Sequence, residues 1–198
     1  MTPRRLVVLT LALGLVVPVA TEAQQARVFR VVSAASLVGF EAQATPVGAF
    51  GGQTRDVSGQ IVVDLAALAK GVRGAISANP AGLSTGIGLR DSDLQAVMET
   101  ARYPVIRFTV TEVRSPKAAL VPGDQVEVVV TGTMEIHGVR RTIQVPATIT
   151  VATEKIEVRG RTALQMSDYG IQPPQAFFFI RVQDQVRVQF TLVAEPAG

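Results

Sequence analysis

Over residues 125–137 the chain alternates in polarity, with Val129 the one exception. Val126, Val128, Val130, Gly132, Met134 and Ile136 fall on one face, and Gln125, Glu127, Thr131, Thr133, Glu135 and His137 fall on the other. Side chains of an extended strand point to opposite sides in turn, so a period of two demands a sheet with one apolar and one wet face. The same beat runs through Ile143, Val145, Ala147, Ile149 and Val151, and through Ile156, Val158 and Leu164 set against Lys155, Glu157, Arg159 and Arg161. Near the C-terminus, Val186, Val188, Phe190 and Leu192 alternate with Gln185, Arg187, Gln189 and Thr191. Patterning of this kind belongs to antiparallel strands.

Less regular strands are predicted over residues 28–33, 37–43, 57–64, 72–78 and 105–114, with turn signals at Gly51-Gly52, Asn79-Pro80, Pro122-Gly123-Asp124 and His137-Gly138. Many strands with short joints make an all-β fold, either a sandwich or a closed barrel, and closure removes the exposed edges that invite aggregation. Residues 89–101 break the beat. Leu94, Val97 and Met98 stand at helical spacing, Asp91 and Asp93 open the segment and Pro104 stops it, which predicts a short amphipathic helix near the barrel mouth. Residues 168–181 are irregular and hold Pro173-Pro174 and Phe177-Phe178-Phe179.

The N-terminus has a different character. Arg4 and Arg5 precede an apolar run at 6–17 interrupted by Thr10 and Gly14; Pro18 ends it, and Thr21-Glu22-Ala23 offers small residues for cleavage. This is the layout of a secretory signal peptide at 1–23, ahead of one domain at 24–198. An uncleaved anchor is the alternative, but a spanning helix needs ~20 apolar residues. A periplasmic or secreted protein, soluble after cleavage, is expected. Removing 1–23 takes the chain from 19 basic and 16 acidic residues to 17 and 15. That small excess is scattered, so no nucleic-acid footprint is present. The chain has no Cys, so neither a disulfide nor a thioether-linked lipid anchors it.

Catalytic chemistry finds little footing. His137 is the only histidine and falls in a turn, where a polar turn residue is the plainer reading than a triad or metal ligand. Asp91 and Asp93 read as helix-start acids rather than as a catalytic pair. The glycine-rich stretch from Gly82 to Gly88 lacks the Lys of a phosphate loop. Asp168, next to Ser167, reads as a turn-forming side chain rather than an activating base. No enzyme, no cofactor and no metal site is therefore expected. Phe177 to Phe179 read either as a lip over a cavity or as loop packing, since a run of three cannot all face inward on a strand.

Three passages together resemble the YceI-like polyisoprenoid-binding family. They are Arg90-Asp91 and Leu94 followed by Tyr103-Pro104-Val105-Ile106-Arg107-Phe108; Gly132-Thr133-Met134 with Ile136-His137-Gly138-Val139; and Ser167-Asp168-Tyr169-Gly170-Ile171. Ser36-Leu37-Val38-Gly39-Phe40 and Ser58-Gly59-Gln60-Ile61 fit the family's opening, so the likeness covers the mature chain in order. The resemblance implies a lipocalin-like antiparallel barrel of about eight strands that holds a long isoprenoid in its interior. The chain departs from the family pattern at Val97-Met98-Glu99, where many relatives carry aromatics, and at Met166, where many carry Arg; it also has no Trp.

On this basis the ligand-lining set is Val38, Phe40, Ile61, Val63, Ile106, Phe108, Met134, Ile136, Leu164 and Phe190, with Leu94 and Met98 from the helix and Phe177 and Phe179 at the lip. The leading function is an exported carrier or store of a long-chain apolar lipid, in transient contact with membranes. A filled barrel with a structural or stress-related role is the alternative, and a hydrolase a distant one. Alternation alone does not separate the first two. Small inward residues, Ala42, Gly74, Ala78, Gly132, Ala147 and Gly160, favour a guest unless large neighbours fill the space they leave.

Overall fold

The computed structural model describes residues 26–68, 71–176 and 179–197. The strands are β1 (Arg27–Val31), β2 (Leu37–Thr45), β3 (Gly48–Thr54), β4 (Val57–Val63), β5 (Val72–Ala78), β6 (Ile106–Arg114), β7 (Gln125–Ile136), β8 (Val139–Val151), β9 (Ile156–Gln165), β10 (Gln175–Ala176) and β11 (Ile180–Pro196), with one helix, α1 (Gly88–Val97). All pairings between these strands are antiparallel. The order β1-β4-β5-β6-β7-β8-β9-β11 returns to β1, which closes an eight-stranded barrel.

Closure depends on β11, the longest strand at 17 residues. One edge of it pairs with β9 from Gln185↔Gln165 to Ala194↔Ile156, and with the short β10 at Ile180 and Arg181. The other edge pairs with β2 from Arg181↔Thr45 to Thr191↔Leu37, and then with β1 from Ala194↔Val31 to Pro196↔Phe29. β1 and β2 are thus two halves of one course, interrupted by a single helical turn at Ser33–Ala35. Ser36, fully buried, carries the ladder across the break: its Oγ accepts from Val193 N at 3.0 Å and donates to Val193 O at 3.4 Å. β3 and β4 break at the same level, and Arg55 stitches the two breaks by donating to Ala34 O and Ser36 O.

The two ends of the barrel are finished differently. At one end, loops cross the opening and bond to each other, Leu68 N to Ala118 O at 3.0 Å and Leu120 N to Leu65 O at 2.7 Å. Leu68 and Leu120 are driven into a cluster with Phe29, Val63, Val126 and Val151, all buried. At the other end, β3 pairs with β2, and Gln53 of β3 also bonds to Ser84, through Gln53 N to Ser84 O and Ser84 N to Gln53 O. The chain from 79 to 105, including α1, lies across this end.

Three expectations need correction. Gly51-Gly52 is not a turn but the middle of β3. A Cβ on Gly52 would stand 2.8 Å from the ring of Phe40, its direct cross-strand partner, so glycine there is what lets that ring lie on the strand. α1 ends at Val97 rather than at residue 101, because Glu99 takes a left-handed φ of 44° and closes a turn by accepting from Arg102 N and Tyr103 N. The small inward residues do not all leave space. A Cβ at Gly132 or Gly160 would meet the rings of Phe108 and Phe190 at 2.5 Å, so aromatic rings already cover these glycines and let the sheet coil tightly.

Candidate ligand cavity

The inward faces of the strands enclose a cavity of about 630 Å3. Its side wall is built by the period-two sets: Val38 and Phe40 from β2, Ile61 and Val63 from β4, Ile106 and Phe108 from β6, Met134 and Ile136 from β7, Leu164 from β9 and Phe190 from β11. Leu94 of α1 and Met98, the residue that caps its C-terminus, line the same space. Phe179 does not stand in this wall; it is 65% exposed. Phe177 lies outside the described residues. Met134 and Ile136 sit directly beneath the helix, packed with Val97 and Met98, while Ile61 and Val63 reach the cluster at the looped end.

The wall does not pack like a core. Ile61, Val110, Val130, Ile149 and Val158 point inward yet stay only half-buried, because the surface they keep faces the cavity. Nearly every group lining it is aliphatic or aromatic. Arg90 and Asp93 are the only charged residues there among those described, and both stand on α1 at the helix-covered end. The Arg90 guanidinium lies 5.2 Å from the centre of the Phe50 ring. Phe50, Val47, Ile87, Leu89, Tyr169 and Ile171 also line the cavity and escaped the sequence reading. Val47 and Phe50 were hidden by taking Gly51-Gly52 as a turn, and Tyr169 and Ile171 fall in a stretch without periodicity.

Asp91 does not satisfy the helix's own N–H groups. Its carboxylate accepts from Thr85 Oγ1 at 2.6 Å, Thr85 N at 2.7 Å and Ser84 Oγ at 2.8 Å, clasping the preceding loop to α1. The Thr85 hydroxyl is the main cause that holds this carboxyl below the usual carboxylate range. Asp93 is likewise no cap; it lines the cavity.

The turn at Ser167–Tyr169 is held by a residue distant in sequence. Ser167 N and Oγ donate to Asp184 of β11 at 2.8 and 2.5 Å, and these bonds lower the Asp184 carboxyl, the hydroxyl most of all. Asp168 offers its backbone oxygen to Arg141 instead, so the turn-forming side chain is Asp184 and not Asp168. Tyr169, 2% exposed, has a hydroxyl without a hydrogen-bond partner among the described residues; burial is the first cause raising its phenol above the ordinary value.

His137 and Gly138 form the two-residue turn between β7 and β8, both with positive φ (52° and 76°), as a type I′ hairpin requires. The ring is not a free polar tip. It packs on Tyr103 at 4.4 Å between centroids, and Nε2 lies 3.2 Å from Glu99 Oε1 without the alignment of a hydrogen bond. Among the described residues, no group of three or more His, Cys, Asp or Glu is placed to hold a metal ion.

A second, wider concavity runs over the outside of the barrel, where the wet faces of β2, β3, β8 and β9 meet. Glu41, Arg55, Arg114, Glu127, Arg159 and Arg161 line it. Much of this charge is already paired, as in Arg114 with Glu112 and Arg159 with Glu157. The interior differs from it in being apolar and almost free of charge.

An eight-stranded closed barrel, capped by loops at one end and by a helix at the other around an apolar hollow, is a lipocalin-like ligand-cavity architecture. Residues 29–194 match the YceI-like domain, and the chain belongs to that family. A polyisoprenoid-binding domain from Saccharophagus degradans implicated in plant cell wall breakdown superposes with a TM-score of 0.69 at 19% identity, over 85% of this chain and 98% of that one. BcnA from Burkholderia cenocepacia gives 0.65 at 19% identity, over 82% and 98%. The YceI protein of Campylobacter jejuni gives 0.59 at 20% identity, over 74% and 84%. At these identities the likeness speaks for the fold. No curated protein sequence matches the chain.

Proposed function

We propose that this chain is an exported binding protein that holds a long isoprenoid, or a related apolar lipid, inside the barrel without chemically transforming it. The observation that carries this reading is the cavity itself: about 630 Å3 of hollow, within the ~300–1,000 Å3 of ligand pockets, with its two charges confined to one end. Such a hollow is costly if empty. Side chains that border it have no neighbours on that side and forgo contacts that a close-packed core would give them. Water restores little, since so apolar a wall gives it few partners. A guest of matching shape removes the deficit. The polyisoprenoid-binding relative supports the class of guest, and the apolar run at 6–17 supports export.

The rings of Phe40, Phe108 and Phe190 lying over Gly52, Gly132 and Gly160 favour the filled, structural reading locally. They thicken the wall and leave the central hollow open. Hydrolysis gains nothing from Ser167, whose hydroxyl proton is already given to Asp184.

The test is a titration with prenyl alcohols of increasing length. Each buried CH2 contributes ~0.8 kcal/mol before ordering costs, so affinity rises with length until the hollow is full and then levels off. Val158, half-buried near the looped end, is reached only by long chains. Val158→Thr keeps the shape and adds a hydroxyl, and it should weaken long guests several-fold while leaving short ones unchanged. Flat affinity across the series contradicts the reading.

A further inference from the structure

The cavity wall continues out of the barrel at one place. Val47 is 56% exposed, Ile87 50% and Leu89 77%, and all three also line the cavity. They come from separate segments: the β2–β3 turn, the residue before α1, and the first turn of α1. Phe179 (65% exposed) precedes Ile180, which lines the same wall, and the register Arg181↔Thr45 sets it beside the β2–β3 turn. Large apolar side chains at separate tips around a single opening are unusual on a soluble protein, and they mark a surface that meets something apolar. Arg90 and Arg181 flank the opening, and neither makes an ion pair among the described residues. Asp93 stands there too, while Asp91 is occupied by Thr85 and Ser84.

We propose that this rim is a membrane-docking edge: Val47, Ile87, Leu89 and Phe179 enter the interfacial region of a phospholipid bilayer, with Arg90 and Arg181 at phosphate level, so that a guest passes between bilayer and barrel without crossing water. The proposal rests on the lipid-carrier reading above. The bilayer is favoured over a second copy or another protein on two grounds. Four side chains are few against the about 20–30 residues a side of a standard protein interface. The rim is also continuous with a cavity wall suited to a water-insoluble chain, and only an apolar phase at the opening keeps such a chain dry on entry. Anionic lipid strengthens docking through the two arginines, but apolar insertion is the larger part.

The experiment uses residues 24–198, the expected mature chain, which hold every strand of the barrel from Arg27 to Pro196. Flotation with phosphatidylcholine vesicles containing some phosphatidylglycerol reads docking. Transfer of a dansylated C20 prenyl alcohol from those vesicles reads delivery. Uptake of the same probe added from ethanol, without vesicles, reads binding alone. The Phe179→Asp/Arg181→Glu double variant changes two exposed side chains that stand outside the cavity wall and should keep the parent's circular dichroism. It should lose flotation and slow transfer by about tenfold or more, with uptake from ethanol within twofold of the parent. Leu89→Trp adds the chain's sole tryptophan, whose fluorescence brominated phospholipid should quench.

A parent that does not float, and that takes up probe only as fast as the probe leaves vesicles unaided, overturns the proposal. So does a parent dimer that the double variant splits, which assigns the rim to a second copy. Flotation that the double variant abolishes, in a protein that never takes up the probe, supports the docking edge and removes the lipid-carrier reading instead.

Discussion

The two ends of the barrel are made by the same strands and reach opposite outcomes. At the looped end, Phe29 and Val151 are 2% exposed and Leu120 3%, and two loops bond across the opening. At the helix end, α1 contributes no fully buried residue, and Leu94, Val97 and Met98 stay partly accessible above the cavity. The alternation that builds the wall is identical in both halves, so the difference lies in the connections. One pair of connections carries leucines that drop into the barrel. The other carries a helix laid over it, clasped through Asp91 and resting on the His137–Tyr103 contact. The larger buried cluster lies where the barrel is plugged, and only the smaller one of Ile136, Tyr169 and Ile171 lies under the helix.

The sharpest way to break this comparison is to truncate one side chain at each end. Leu120→Ala, in the closed cluster, should cost about 2–4 kcal/mol by the cavity it opens. Met98→Ala, beneath the helix, should cost under ~1 kcal/mol, because its neighbours already border a void. Urea unfolding measures both, and equal losses would mean the helix end is as well packed as the looped end.

A smaller effect is expected from Gly160→Ala. The new methyl meets the Phe190 ring at 2.5 Å, which has the cavity to swing into, and the Pro146 backbone oxygen at 2.9 Å, which does not, so the loss is about 1–3 kcal/mol, the usual overpacking penalty. Long prenyl alcohols should bind more weakly to this variant than to the parent, because the ring takes their space.

The clasp at the helix end should also respond to acid. Asp91 has a folded-state carboxyl held below its unfolded value, so its contribution is present above the unfolded value, near pH 4, and is lost as pH falls through the lowered one. Amide exchange at Thr85 should quicken relative to Leu120 as that window is crossed. A uniform change at both ends would remove the clasp from the account.

The smallest effect concerns Tyr169. Its hydroxyl is buried without a hydrogen-bond partner among the described residues, so Tyr169→Phe should leave stability unchanged or raise it by up to ~1 kcal/mol. The phenol is raised in the folded state, so its contribution is full below the unfolded value near 10 and falls away as pH climbs through the folded one. Chemical unfolding across that alkaline range should show a decline in the parent that the phenylalanine variant lacks.

The barrel was legible in the sequence because period-two patterning is a local consequence of facing a dry interior. Val126 through Ile136, and Val186 through Leu192, declare their inward faces residue by residue. β3 was missed for the opposite reason: Gly51 and Gly52 serve a contact with β2, a long-range demand that resembles a turn locally. Asp184 was invisible as the partner of Ser167 because 17 positions separate them and only the β9–β11 pairing brings them together. The leucines that plug one end, Leu68 and Leu120, sit in loops, where no periodicity marks a side chain as buried. The wall of the cavity could therefore be read in advance, whereas its two ends, which decide what enters, could not.

The most direct test of the central claim is native mass spectrometry of residues 24–198 purified from an exporting host without detergent, followed by organic extraction of the same sample. The account predicts an adduct near one per chain that dissociates into the gas phase as a long-chain isoprenoid or related apolar lipid, and a protein whose melting temperature falls once that lipid is stripped. A chain of bare mass, with an empty organic phase and a melting point that added prenyl lipids do not raise, would contradict it.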